Sequence, residues 1–147
     1  MRNIRLGFLI ACSIAAVVAA KVPTVKLTIA GPTLLKSIDV TDPKAVSANV
    51  WEGNFIAGPA TEPDTVLPRY VVSFYIAGSK GEAAKMCYVV YYVRNPQTGD
   101  GYVYLPGRGE DWYRLNRGSI IRDGLDGKWH RAERRWSDAV AAALPSL

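Results

Sequence analysis

The chain has 147 residues, 49% of them hydrophobic and 21% charged, with a formal charge of +5. That length suits one compact domain with a core of ordinary size rather than a two-domain arrangement. No internal repeat, low-complexity tract, glycosylation sequon or long charge block interrupts it, and the mild basic excess suits weak attraction to anionic surfaces without naming a partner.

Residues 1–20 read as a secretory signal peptide: Arg2 and Arg5 open it, an apolar run from Leu6 to Ala20 follows, and Val18 and Ala20 supply small residues before Lys21. The alternatives are an uncleaved membrane anchor and a lipoprotein box at Leu9-Ile10-Ala11-Cys12. The apolar run is shorter than the roughly 20 residues a spanning helix needs. A lipidated Cys12 would be followed by the apolar stretch Ser13 to Ala20, where a polar tether belongs. The expected mature domain is 21–147, with side chains summing to +3 once Arg2 and Arg5 are lost, and its location is periplasmic or extracellular. Cys87 is then the only mature cysteine, so no internal disulfide can form; inside MCYVVYYV it reads as a buried small hydrophobe.

In chain order, VKLTIAG alternates Val25, Leu27 and Ile29 with Lys26, Thr28 and Ala30, the period of a half-buried strand. Gly31-Pro32 ends it, and residues 34–40 form a second strand closing a hairpin. Asp42-Pro43 starts a short helix over 43–47, the aspartate as cap and the proline at the first helical position. Val50, Trp51, Phe55 and Ile56 lay apolar side chains on the sheet. Residues 57–68, with three prolines, Glu62 and Asp64, read as an exposed loop.

The centre of the fold is expected in residues 69–105, where RYVVSFYIAG, MCYVVYYVR and GYVYLP are three Val- and Tyr-rich runs divided by turn residues. Both faces of 70–76 and 86–93 are largely apolar, which places this pair mid-sheet. Beyond 105, residues 118–122 and 128–131 read as a hairpin about DGLDG, because Asp-Gly pairs favour the positive backbone angles of tight turns. Ser137 is the expected cap of a short terminal helix, with Trp136 just outside it and Val140 and Leu144 on its buried face. The fold class is therefore α+β, one mainly antiparallel sheet of about five to seven strands with two short helices.

Together, VKLTIAGPTLLKSIDVTDP, VWEGNFIAG, YVVYYVRNPQTGDGYVYLPGRGEDWYRLNRGSII and DGKWHRAERRW resemble a family of small exported bacterial proteins without an assigned activity. The segment GYVYLPGRGEDWYRLN is the most specific part. The resemblance implies export and a single domain, and no functional residue.

Catalytic constellations are incomplete. His130 is the sole histidine, no G-x-S-x-G elbow occurs, and neither Ser119, Ser137 nor Asp138 stands at a diagnostic spacing from it. One histidine and one buried cysteine cannot supply a zinc site, and Asp123 with Asp126 lacks the ligand spacing of a calcium loop. Glu110 and Asp111 are adjacent, so on a strand they face opposite ways, and salt bridges to Arg108, Arg114 or Arg117 are the expected role. What remains is a basic and aromatic zone of Arg108, Trp112, Tyr113, Arg114 and Arg117 with Trp129, His130 and Arg131. The expectation is a non-enzymatic binding module without cofactor or metal, taking an anionic glycan, a lipid headgroup or an acidic protein segment on that surface, with nucleic acid disfavoured by the interleaved carboxylates. Two alternatives stand beside it: an envelope hydrolase using His130 or the Glu110/Asp111 region, and a structural envelope protein pairing through a sheet edge.

Overall fold

The computed structural model describes residues 22–119 and 124–145; the expected signal peptide, Cys12 and the expected strand residues 120–122 lie outside the described residues. Seven strands and three short helices follow in the order β1 (Thr24–Ala30), β2 (Ile38–Val40), α1 (Pro43–Val46), β3 (Ile56–Pro59), β4 (Tyr70–Ile76), β5 (Lys85–Arg94), β6 (Gly101–Leu105), α2 (Tyr113–Ser119), β7 (Lys128–Ala132) and α3 (Arg134–Ala142). The strands make one antiparallel sheet ordered β2-β1-β4-β5-β6-β7-β3, so the fold is α+β as its residue pattern predicts.

The three central runs form β4, β5 and β6, side by side. Alternation sends Leu27, Ile29, Tyr70, Val72, Phe74, Tyr88, Val90, Tyr92 and Val103 to an inner face, all buried. α1, α3 and the chain around Val50 and Phe55 close over that face. Trp136 of α3 stacks on Phe74 with centroids 6.1 Å apart and meets Tyr92 edge-on at 5.7 Å, while Phe55 lies 5.1 Å from Phe74. Each such side chain contributes about 1.5–3 kcal/mol through burial, so this cluster anchors the helical layer to the sheet.

Four expectations need correction. In β1 the alternation slips: the register shifts between Thr24 and Lys26, so Thr24 is buried, bonded to the Ala48 carbonyl, and Val25 faces out. Residues 57–59, expected as the start of a loop, belong to β3, because at a sheet edge Pro59 loses no ladder bond and the register shift at Ile56/Gly58 absorbs the irregularity. Gly118 and Ser119 belong to α2, so β7 pairs with β6 and β3 instead of with a strand formed from residues 118–122. The terminal helix begins at Arg134, three residues before Ser137: the Glu133 carboxylate caps it by accepting Trp136 N–H at 2.8 Å, leaving Ser137 Oγ to bond Tyr92 Oη at 2.7 Å.

α2 solves an edge problem. β5 runs on beyond the end of β6, which pairs with it only as far as Tyr91, and leaves backbone groups of Val89 and Cys87 unladdered. The buried Asn116 amide takes both groups of Val89, accepting its N–H at 2.8 Å and donating to its carbonyl at 2.7 Å. Ser119 Oγ donates to the Cys87 carbonyl. A side-chain amide thus stands where a neighbouring strand would, and the exposed ladder is capped.

Candidate functional site

On the outer face, registers align one row straight across the middle of the sheet: Val71 of β4 opposite Tyr91 of β5, Tyr91 opposite Tyr104 of β6, and Tyr104 opposite Trp129 of β7. Tyr91 and Tyr104 have ring centroids 6.2 Å apart, and Tyr104 and Trp129 5.2 Å. These residues lie outside the core cluster on the inner face. Their partners across the pleat, Tyr92 and Val103, fill the core, so the outer row is left to face a cleft of about 440 Å³.

Two chain segments wall this cleft. From the loop before β4, Glu62 reaches the Arg69 guanidinium at 2.6 Å, and Arg69 lies over the Trp129 ring at 5.2 Å from its centroid. Trp129 is consequently only 8% exposed, whereas Arg69 remains 39% exposed. From the other side, the chain after β6 turns at residues 107–110, closed by Glu110 N–H to the Gly107 carbonyl at 3.1 Å. That turn brings the Glu110 carboxylate back to the Gly107 N–H at 2.5 Å and to Tyr104 Oη, which donates to it at 3.0 Å. The salt bridges expected for Glu110 are replaced by these local donors, because the turn folds the carboxylate toward the sheet.

The electrostatics follow the geometry. Burial and the hydrogen bond to the Glu110 carboxylate push the Tyr104 phenol up to about 12. Tyr91 is also raised, first by burial and then by the Asp111 and Glu110 carboxylates. Both phenols therefore stay neutral at physiological pH, and the cleft's charged lining is Glu62 and Glu110 against Arg69. On a chain of net charge +5, this one cleft has more carboxylate than cation.

The residues singled out in the sequence divide between three places. Arg108, Trp112, Tyr113 and Arg114 line a separate open groove of about 680 Å³ on the loop leading into α2, sharing Glu110 with the cleft wall. Trp112 is 40% exposed there at φ 70°, a left-handed angle that costs a non-glycine residue about 1 kcal/mol or more. Its carbonyl accepts the Asn116 N–H at 2.9 Å, which ties this angle to the start of α2. Arg117 donates to Tyr113 Oη at 3.2 Å along α2. Trp129 belongs to the outer row, and Arg131, opposite Tyr102, lies on the same face one row away.

His130 is separated from all of these. Alternation turns it to the opposite face from Trp129, where it is 3% exposed and its Nε2 lies 2.9 Å from the Leu125 carbonyl. Its placement corrects the grouping of His130 with the basic and aromatic surface. The hydroxyl and carboxylates that follow it in sequence are otherwise engaged: Glu133 with the Trp136 N–H, Ser137 Oγ with Tyr92 Oη, and Asp138 with Arg94 at 2.9 Å.

Sequence reasoning missed Glu62, Arg69, Tyr91 and Tyr104. Nothing local marks them, since their juxtaposition is a product of strand register; the available signal was that Tyr91, Tyr104 and Trp129 fall on the face opposite the fully apolar one. Among the described residues, no group of three or more His, Cys, Asp or Glu side chains comes together to hold a metal ion, and no helix is long and apolar enough to cross a membrane. Searches against protein-family models, curated proteins and solved structures find no match to this chain.

Proposed function

We propose that this protein is a non-enzymatic binding module acting outside the cytoplasm, as its N-terminal segment and its resemblance to small exported bacterial proteins imply, and that its ligand sits in the outer-face cleft. One observation carries the reading: Glu110 is bonded to both Tyr104 and its own turn, so the loop after β6 is pinned to the sheet as a wall beside the row Tyr91–Tyr104–Trp129. A cleft lined by rings and a few converging polar groups is the usual form of a small-ligand site. The absence of turnover in this reading is supported by the engagement of His130, Ser137 and Asp138 with separate partners. Against edge pairing, the two outermost strands are short, three residues in β2 and four in β3, the latter ending in Pro59.

A panel of neutral oligosaccharides, phospholipid headgroups, acidic peptides and organic amines, titrated into isotope-labelled protein, tests it. The expected outcome is that a binder perturbs Tyr91, Tyr104 and Trp129 and is released unchanged. Chemical conversion of a panel member, or binding that leaves the cleft unperturbed, would contradict the proposal. A second reading rests on Arg108 and Arg114 sharing a groove with the exposed Trp112, which suits an anionic glycan, headgroup or acidic peptide. Under that reading Arg108→Ala with Arg114→Ala lowers retention on heparin-type matrices while the melting temperature stays within a few degrees; unchanged retention would sink it.

A further inference from the structure

The occupant of the outer-face cleft can be narrowed by asking what the protein itself places there. The Trp129 ring is covered by the Arg69 guanidinium, and that cation is neutralised by Glu62 at 2.6 Å. Arg69 comes from the end of an exposed loop and only partly fills the cleft. We propose that the cleft is a site for a small organic cation, a methylated ammonium or guanidinium head, which takes the place of Arg69 between the Tyr104 and Trp129 rings and the Glu62 and Glu110 carboxylates. This rests on the binding-module reading and specifies its ligand.

Charge accounting separates the ligand classes. A neutral sugar needs the open face of a ring, and the face it would use on Trp129 is taken. Displacing Arg69 to expose that face would leave Glu62 without its cation, and sugar hydroxyls do not restore the charge. An anion pairing with Arg69 would release Glu62 while facing Glu110 across the cleft. A cation alone replaces both interactions that Arg69 gives up, the contact with the ring quadrupole and the pairing with carboxylate, and adds Glu110. The Tyr104 hydroxyl donates to Glu110, a contact that keeps its side chain turned toward the rings. Aromatic walls are the usual means by which quaternary ammonium groups are recognised.

The test titrates tetramethylammonium chloride, and separately ethylguanidinium chloride, into the isotope-labelled protein, with sodium chloride at matched ionic strength as the reference. The expected result is saturable perturbation of Arg69, Tyr91, Tyr104 and Trp129 by at least one cation. Removing the internal competitor in Arg69→Ala should tighten binding about threefold to tenfold, the scale of one cation–π contact. Glu62→Gln, a neutral change at an exposed residue, should weaken it. Where Arg69→Ala does not fold, Arg69→Gln carries the same expectation, and the wild-type titration stands independently of either. If the cations perturb the cleft no more than sodium does, while a neutral oligosaccharide or sulfate saturates those same residues, the cation assignment is overturned and the binding surface stands. If no probe perturbs the cleft, both are overturned. A lysine- or arginine-containing peptide that binds more tightly than either free cation would place the same cationic head on a polypeptide.

Discussion

Tyr104 shows how one side chain joins fold to site. Its backbone sits mid-ladder between β5 and β7, its ring lies in the outer row, and its hydroxyl fixes the Glu110 wall. With a folded value of about 12 against an ordinary 10.0, the phenol holds its proton more tightly in the folded chain. The linked stability is complete below pH 10 and is lost as pH rises toward 12. An absorbance titration of Tyr104→Phe should lack one high-titrating phenol, and the variant's stability should fall less over that interval than the wild type's. Asn116 is the other residue on which much depends. Asn116→Ala removes two bonds to buried backbone and should cost about 1–3 kcal/mol in chemical denaturation, because the Val89 groups are left without their partner. Cys87, 6% exposed and with its thiol raised to about 11 by burial, should label slowly with a thiol reagent in the native state and fast in denaturant.

At the scale of elements, strands were more legible than helices. The runs that became β4, β5 and β6 announce themselves by β-branched and aromatic residues, and turn residues separate them cleanly. α2 left no comparable trace. Its seven residues carry a glycine, and its reason for existing lies at the β5 edge, in a bond between residues 27 apart. α3 was displaced for a related reason: a serine is the better intrinsic cap, but Ser137 is claimed by Tyr92 in the core, and Glu133 takes the capping role. Glu133→Ala should therefore destabilise the protein by about 1 kcal/mol, whereas Ser137→Ala acts through the lost Tyr92 bond. The start of β6 adds a steric demand. A Cβ on Gly101 would collide with the Ser137 side chain, so Gly101→Ala should cost about 1–3 kcal/mol by forcing α3 away from the sheet.

For the molecule as a whole, the two faces of one sheet divide the work. The inner face, with Phe55, Phe74, Tyr88, Tyr92 and Trp136, holds the helices; Val90→Ala within it should cost about 1–3 kcal/mol, measured by denaturation. The outer face carries the cleft. Composition and periodicity reveal that such a sheet exists, but the expected single zone of Trp129 with Arg108 and Arg114 is split between the cleft and a separate groove. They do not reveal which tyrosines look outward together, because that depends on the registers of three strand pairs at once. Nor do they reveal the Glu62–Arg69 pair lying on Trp129, which depends on where an irregular loop returns to the sheet. The most direct measurement of the account is a residue-resolved shift titration of the protein with tetramethylammonium chloride against sodium chloride. The account predicts saturable shifts centred on Arg69, Tyr91, Tyr104 and Trp129; shifts confined to the Arg108–Arg114 groove, or none beyond those of sodium chloride, would contradict it.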